Sequence, residues 1–335
     1  MQAEKNYDIL LAAMQDVVSL NTLRMKKEYS QRINKVIDYI NLNLSEDLNL
    51  ENIAEVANFS PYHFHRIFHA AIGETLSVYI NRLRLERAAH KLRRNMNLSI
   101  TEIALDCGFS SSSSFSRVFK GYFSMTPTVY RNQFLKESFA YNFGSGEARG
   151  RYNEGGESDI LMDPAQYARF HNFNCNIRVE YLPSYHVAYV RSFGFNENTY
   201  NEGIENAFRM LRSWLSARDL IDEDTLCVGI TYDDTAITKP ERCRYISCYT
   251  VPDDVLPEGN IGIQDTPAGK YVICNIEGEW ERYGELFLTT MDYIFGVWFP
   301  QSGYEPGDEL SYMEKYNSAK SEMMNIELCI PVKPF

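Results

Sequence analysis

The stretch Ser99-Ile-Thr-Glu-Ile-Ala-Leu-Asp-Cys-Gly-Phe-Ser110, followed by Phe115-Ser-Arg-Val-Phe119 and Thr126-Pro-Thr-Val-Tyr130, decides the fold of the first half of this chain. Ile103, Ala104 and Cys107 fall at helical spacing and are apolar or small, so a short helix can bury that face. Gly108 can take the left-handed turn that ends it, and a second helix from about Ser111 to Tyr122 carries polar side chains outward. The pattern is repeated. Ile53-Ala-Glu-Val-Ala-Asn-Phe-Ser60 matches it 50 residues earlier, with Asn58 at the turn, Ser60 as N-cap and Pro61 opening a helix through Ala71. A short helix with a small inner face, a tight turn and a second helix with a polar outer face are what a helix-turn-helix needs to reach the major groove. Two tandem copies, with no strand pattern between them, predict an all-α double helix-turn-helix unit over residues 28–136.

Working outward, the net charge of -12 opposes DNA binding until it is divided along the chain. Residues 1–27 carry +1, residues 28–136 carry +3 and residues 137–335 carry -16. The acidity belongs to the C-terminal part, and the middle part is mildly basic, its cations gathered in Arg82, Arg84, Arg87, Lys91, Arg93 and Arg94. That run reads as a phosphate-holding patch or as a solvated helix face. Before it, Tyr7, Leu10, Leu11, Met14, Val17 and Val18 share one helical face, so residues 1–27 are expected to form a helical extension that docks on the protein or on a second copy.

Residues 137–175 are rich in Gly, Glu, Asn and Arg without periodicity and read as a linker. From residue 176 to 335 the pattern changes to strand-like runs such as Val187-Ala-Tyr-Val190, separated by amphipathic segments from Tyr200 to Leu215 and from Tyr283 to Trp298. An offset of 84 pairs Pro183 with Pro267, Gly194 with Gly278, Trp214 with Trp298 and Tyr232 with Tyr316, so this α+β part is itself duplicated, each half reading β-α-β-β. The 7 cysteines lack any CxxC pair, which argues against a zinc ribbon or a disulfide framework and favours small buried apolar roles. With no membrane-length apolar run and no basic-then-apolar start at Met1 to Tyr7, the chain is expected in the cytoplasm, away from membranes.

On these motifs residues 30–132 resemble the AraC/XylS DNA-binding domain. The resemblance implies that a long helix, about Ser77 to Arg94, joins the two units so that their second helices enter successive major grooves of double-stranded DNA. It implies base-facing positions at Tyr62, His65 and Arg66 in the first unit and at Ser112, Ser113, Ser116 and Arg117 in the second. Arginine can grip guanine as a fork, while serine reads bases weakly, so the run Ser110 to Ser114 shifts weight toward shape and phosphate contacts. Arg66 and Arg117 also admit a plain reading as surface helix arginines. His63, His65 and His69 suit a DNA or solvent role better than a metal clamp; neither metal nor cofactor is expected.

Residues 176–335 resemble the GyrI-like effector-binding domain, as in Rob-type regulators. The resemblance rests on Leu182-Pro183 before Val187-Ala-Tyr-Val-Arg191, on Cys243-Arg244, Pro267-Ala-Gly-Lys-Tyr271, Gly278-Glu-Trp-Glu-Arg-Tyr283, Trp298-Phe-Pro-Gln-Ser-Gly-Tyr304 and the ending Ile326-Glu-Leu-Cys-Ile-Pro331. It implies an aromatic cleft between pseudo-symmetric halves with one acidic residue on a late strand. Alternation puts Tyr312, Glu314 and Tyr316 on one strand face, a carboxylate between two rings suited to an organic cation. The expected pocket residues are Tyr189, Trp280, Trp298, Glu314 and Tyr316. Against them stand Trp298 as core, Trp280 as a loop anchor and Glu314 in a structural ion pair. The expectation is a ligand-responsive transcription regulator, monomer or dimer, that works with RNA polymerase and is not an enzyme. A GyrI-like hydrolase and a protein-binding module are the alternatives.

Overall fold

The computed structural model describes residues 27–94, 98–133, 176–194, 202–233, 237–307, 311–317 and 323–334. The N-terminal helical face expected before residue 27 and the linker expected at 137–175 lie outside the described residues.

The first part is all-helical: α1 (27–42), α2 (Leu50–Val56), α3 (Pro61–Ile72), α4 (Leu76–Arg94), α5 (Ile100–Asp106), α6 (Ser112–Phe123) and α7 (127–133). Each helix-turn-helix has its own core. Ile53, Ala54, Phe64 and Phe68 fill the first, and Ile103, Ala104, Phe115 and Phe119 fill the second. α4 serves both, with Leu76, Tyr79, Ile80 and Leu83 in the first core and Leu85, Ala88, Ala89 and Leu92 in the second. At 1.5 Å per residue its 19 residues span about 28 Å, close to one DNA turn of about 34 Å.

The turns form as their residues dictate. Asn58 and Gly108 adopt φ of 52° and 82°. Ser60 caps α3 through the His63 amide with Pro61 in the first turn, and Ser99 and Glu102 form a reciprocal capping box at α5.

Three cations of the basic run on α4, Arg82, Arg84 and Lys91, are held by the protein itself, which withdraws these three from the phosphate patch. Arg82 is buried between Glu74 and Glu86, and the Arg84 guanidinium donates to the Leu44 and Glu46 carbonyls that end α1 and its turn. Lys91 is buried against Asp106. These cations hold the two units together.

The second part is a sheet with two helices on one face: β1 (Ile177–Leu182), β2 (His186–Phe193), α8 (Glu202–Ser216), β3 (Cys227–Thr231), β4 (Arg244–Thr250), β5 (Ile261–Asp265), β6 (Gly269–Glu279), α9 (Tyr283–Tyr293), β7 (Tyr304–Pro306), β8 (Tyr312–Tyr316) and β9 (Met323–Pro334). A π turn over Ile294–Trp298 and a short helix over Phe299–Ser302 continue α9. The duplication is visible in three dimensions. β1 and β5 open at Ile177 and Ile261, 84 residues apart, and β-α-β-β recurs as β2-α8-β3-β4 and β6-α9-β8-β9. The strand order β1-β6-β9-β8-β3-β4-β2-β5 reverses when each strand is replaced by its duplicate, so a pseudo-two-fold passes between β8 and β3.

α8 covers β2 and β4 with Ala207, Leu211 and Leu215, and α9 covers β6 with Leu286, Phe287 and Met291. The opposite face carries no helix of its own domain yet is buried. Leu182 of β1 and Val187 of β2, from strands far apart in the sheet order, share one core there, so the sheet curls until its two ends meet. Five of the described cysteines are free and four of these are buried, as expected for most of them, while Cys274 is disulfide-bonded, a departure from the reading against disulfides. Among the described residues no helix is long and apolar enough to cross a membrane.

Candidate DNA-reading helices and ligand cleft

On α3 the apolar side chains Phe64 and Phe68 point into the core, which turns Tyr62, His65 and Arg66 out. Tyr62 is 76% exposed, and the Arg66 guanidinium stands 6.0 Å from its ring centroid, one helical turn away. His63 is used differently: its ring packs edge-on against Phe59 at 5.0 Å and Tyr29 at 5.9 Å, seating α1 on the turn. On α6, Phe115 and Phe119 face inward, Ser113 and Arg117 are exposed, and Ser112 and Ser116 are half-buried. Each set of sequence-expected positions therefore shares one outer helix face. Tyr122, at the far end of α6, donates to Glu86 of α4 at 2.9 Å, which fixes that helix to the connector.

The second site lies where the two halves of the sheet meet. Glu314 is 2% exposed, on β8 directly opposite Gly229 of β3. Its Oε1 accepts from the Tyr283 hydroxyl, and its Oε2 accepts from Tyr316 at 2.7 Å and Tyr245 at 3.0 Å. The Tyr245 and Tyr316 hydroxyls are 2.8 Å apart. Burial pushes the Glu314 carboxyl above the usual carboxylate range, and the hydrogen bonds from Tyr283, Tyr316 and Tyr245 oppose that shift without cancelling it. Among the described residues no arginine or lysine pairs with Glu314, which removes the ion-pair alternative there.

Aromatic rings close the site. Phe208 of α8 meets the edges of Tyr245, Tyr249 and Tyr316 at 5.5 to 6.4 Å. Trp280, in the turn before α9, stacks on Tyr316 at 6.5 Å and an interplanar angle of 18°. Trp280 is 37% exposed, so the cluster runs from solvent at its indole to a buried carboxylate.

Of the expected pocket residues the structure brings together Glu314, Tyr316 and Trp280. Tyr189 stands elsewhere. The register Val190–Ser247–Gly229–Glu314 defines one sheet face, and Tyr189, paired with Cys248, is on the other. Trp298 ends the π turn, half-buried, stacked on Tyr304 at 6.1 Å and against Phe299, where it packs on the core of the second half.

Tyr245, Tyr283 and Gly229 were not anticipated. The Tyr245 ring crosses the face of Gly229 to reach Glu314, and a side chain at position 229 would overlap its hydroxyl. The available signal was an isolated glycine inside the strand run Cys227-Val-Gly-Ile-Thr231, a mark of close approach by another group.

Comparison with known proteins agrees with the division into two parts. The profile of a helix-turn-helix domain matches residues 53–133, and that of the GyrI-like small molecule binding domain matches residues 176–333. The chain is 35% identical over 102 residues to the HTH-type transcriptional activator AarP of Providencia stuartii, covering 30% of this chain and 75% of AarP. It is 30% identical over 138 residues to the regulatory protein PocR of Salmonella typhimurium, covering 41% of this chain but only 45% of PocR. A crystal structure of a transcriptional regulator with an AraC-type DNA-binding domain, from Chromobacterium violaceum, is 32% identical over 31% of this chain and 91% of its own, with a TM-score of 0.29.

Proposed function

This chain belongs to the AraC-type helix-turn-helix family and carries a GyrI-like small molecule binding domain, and from that premise we propose that it is a cytoplasmic transcription regulator responsive to an organic cation. In this reading α3 and α6 enter successive major grooves of double-stranded DNA. Arg66 forks onto a base edge with Tyr62 and His65 beside it; Arg117 does the same from the second unit, while Ser112, Ser113 and Ser116 contribute shape and phosphate contacts. RNA polymerase is the partner on which regulation acts. The sheet domain senses and does not catalyse.

The observation that carries the ligand class is the Glu314 carboxylate, whose described partners are phenols, at the foot of a cluster that opens at Trp280. A buried carboxylate without a cation is costly, and rings present their negative faces to a positive charge. An aromatic ammonium offers both the cation and an apolar body.

The test is calorimetric titration with benzyltrimethylammonium and its uncharged carbon isostere neopentylbenzene. Glu314→Gln should weaken the cation by about 3 kcal/mol, the Coulomb energy of two unit charges roughly 5 Å apart at an effective dielectric of about 20, and the isostere much less. Equal losses for both, or none, would mean that Glu314 does not meet the ligand's charge.

A further inference from the structure

The curled face of the sheet, on the side away from Glu314, is where the helical part docks, through side chains that neither DNA reading nor ligand binding uses. α1 presents Asn34, Asp38 and Asn41, residues that fall at i, i+4 and i+7 on one helical face. Asp38 accepts from Arg191 at 2.5 Å through one oxygen and from the Tyr189 hydroxyl at 2.5 Å through the other. Asn34 accepts from the second Arg191 nitrogen at 3.2 Å, and Asn41 accepts from Arg244 at 2.7 Å. Beside them Glu74, at the joint of α3 and α4, is shared by Arg82 of its own domain and Arg242 of the sheet domain, the latter at 3.3 Å.

Two features separate this junction from an ordinary polar interface. The Arg191 side chain is 2% exposed, and among the described residues Asp38 is the carboxylate it meets, so its neutralising charge comes from the other domain. Docked without Asp38, the guanidinium would be buried unpaired; undocked, water would solvate it. Tyr189, moreover, crosses the face of Gly262, its register partner on β5, where a side chain would overlap its ring, as Tyr245 crosses Gly229 in the cleft. Both glycines clear a path for a phenol.

A single strand also links the junction to the cleft. Arg244 and Tyr245 are consecutive on β4, so their side chains leave opposite faces of the sheet. Tyr245 holds Glu314, while Arg244 holds Asp233 of its own domain and Asn41 of α1. A ligand that takes Glu314 away from Tyr245 acts on the strand that aims Arg244.

We propose that the junction of Asp38 with Arg191 and Tyr189, supported by Asn41 with Arg244, is a charge lock that clamps the sheet domain onto the first helix-turn-helix and is released from the Glu314 cleft through β4. The release half rests on the cleft reading above; the lock itself does not.

The test uses the full chain with distance labels at Glu51 and Lys270, both exposed and on opposite sides of the junction. Wild type should give one narrow distance. Asp38→Ala and Arg191→Met should each raise the separated population about tenfold or more, as expected when one partner of a buried charge pair is removed, and the double variant should add little to either. Gly262→Ala, which displaces Tyr189 without altering charge, should act in the same direction. Far- and near-ultraviolet circular dichroism establishes that each variant is folded. Narrow distances in folded Asp38→Ala and Arg191→Met overturn the lock. Benzyltrimethylammonium should broaden the distance in wild type but not in Glu314→Gln. If calorimetry shows the cation bound while the distance stays narrow, release through β4 is wrong and the cleft reading stands. If no cation binds, the cleft reading fails, release with it, and the lock is judged on the variants.

Discussion

Replacing Glu314 by glutamine removes one charge and leaves the shape of the side chain. The carboxylate takes three phenolic hydrogen bonds, and an uncharged acceptor would weaken each by about 1 kcal/mol, which favours the wild type by about 3 kcal/mol. Against this stands the cost of keeping an ion out of water, several kcal/mol for a buried carboxylate. The carboxyl lies above its ordinary value of 4.5 despite the three bonds, so burial is the larger effect. With the folded value raised, the protonated form is favoured by folding: stability is full below about pH 4.5 and is lost as pH rises through the folded value. Glutamine mimics the protonated form. Glu314→Gln should therefore melt higher at pH 7–8 by about 1 kcal/mol, or about 2–4 °C for a domain of this size, with the gain vanishing toward pH 4.5. Scanning calorimetry of both proteins across that range measures it. A variant that melts lower than wild type at pH 7–8 would refute the reasoning, because the hydrogen bonds would then outweigh burial and Glu314 would be a stabilising residue.

The other predictions concern single contacts. Arg66→Ala should cost about 1–3 kcal/mol in operator affinity and relax selectivity at one base position, and Arg117→Ala should do the same about 10 base pairs away, as read by binding to a randomised site library. Gly229→Ala should force Tyr245 off Glu314 and destabilise the sheet domain by about 1–3 kcal/mol in denaturant unfolding; unchanged stability would mean that Tyr245 has room to spare. Ser99→Ala removes the N-cap of α5 and should cost about 1 kcal/mol of stability, with weaker DNA binding following only from the second unit.

The helical part was legible because its determinants are local. Asn58 and Gly108 at the turns, Ser60 and Pro61 at one helix start and Ser99 with Glu102 at another all act within four residues of their partners, and inner and outer helix faces follow from period alone. The basic run on α4 was misleading because composition does not name partners. Arg82 finds Glu74 eight residues back and Arg84 finds carbonyls about 40 residues back, so both cations are engaged within the protein. In the sheet, alternation along one strand put Glu314 and Tyr316 together correctly. Whether Tyr189 joins them depends on pairings across β4 and β3, which no single strand records.

The pseudo-two-fold also explains why a duplicated domain carries a single buried acid. β3 and β8, Cys227–Thr231 and Tyr312–Tyr316, are equal in length and 85 residues apart, one more than the offset of 84 that pairs Tyr232 with Tyr316 in the sequence, so in the sheet Tyr316 corresponds to Thr231 and Glu314 to Gly229, the residue it faces across the axis. An acid in both copies would set two buried carboxylates side by side, each disfavouring the other's charge. Any side chain at position 229 would displace Tyr245, one of the three donors that offset the burial of Glu314. One half therefore supplies the carboxylate and Tyr283, while the other supplies the gap and the phenol that crosses it. The same division leaves Arg244, the residue before that phenol, on the face where the DNA-reading part docks, so the asymmetry that makes the cleft also orients it toward the domain it would control.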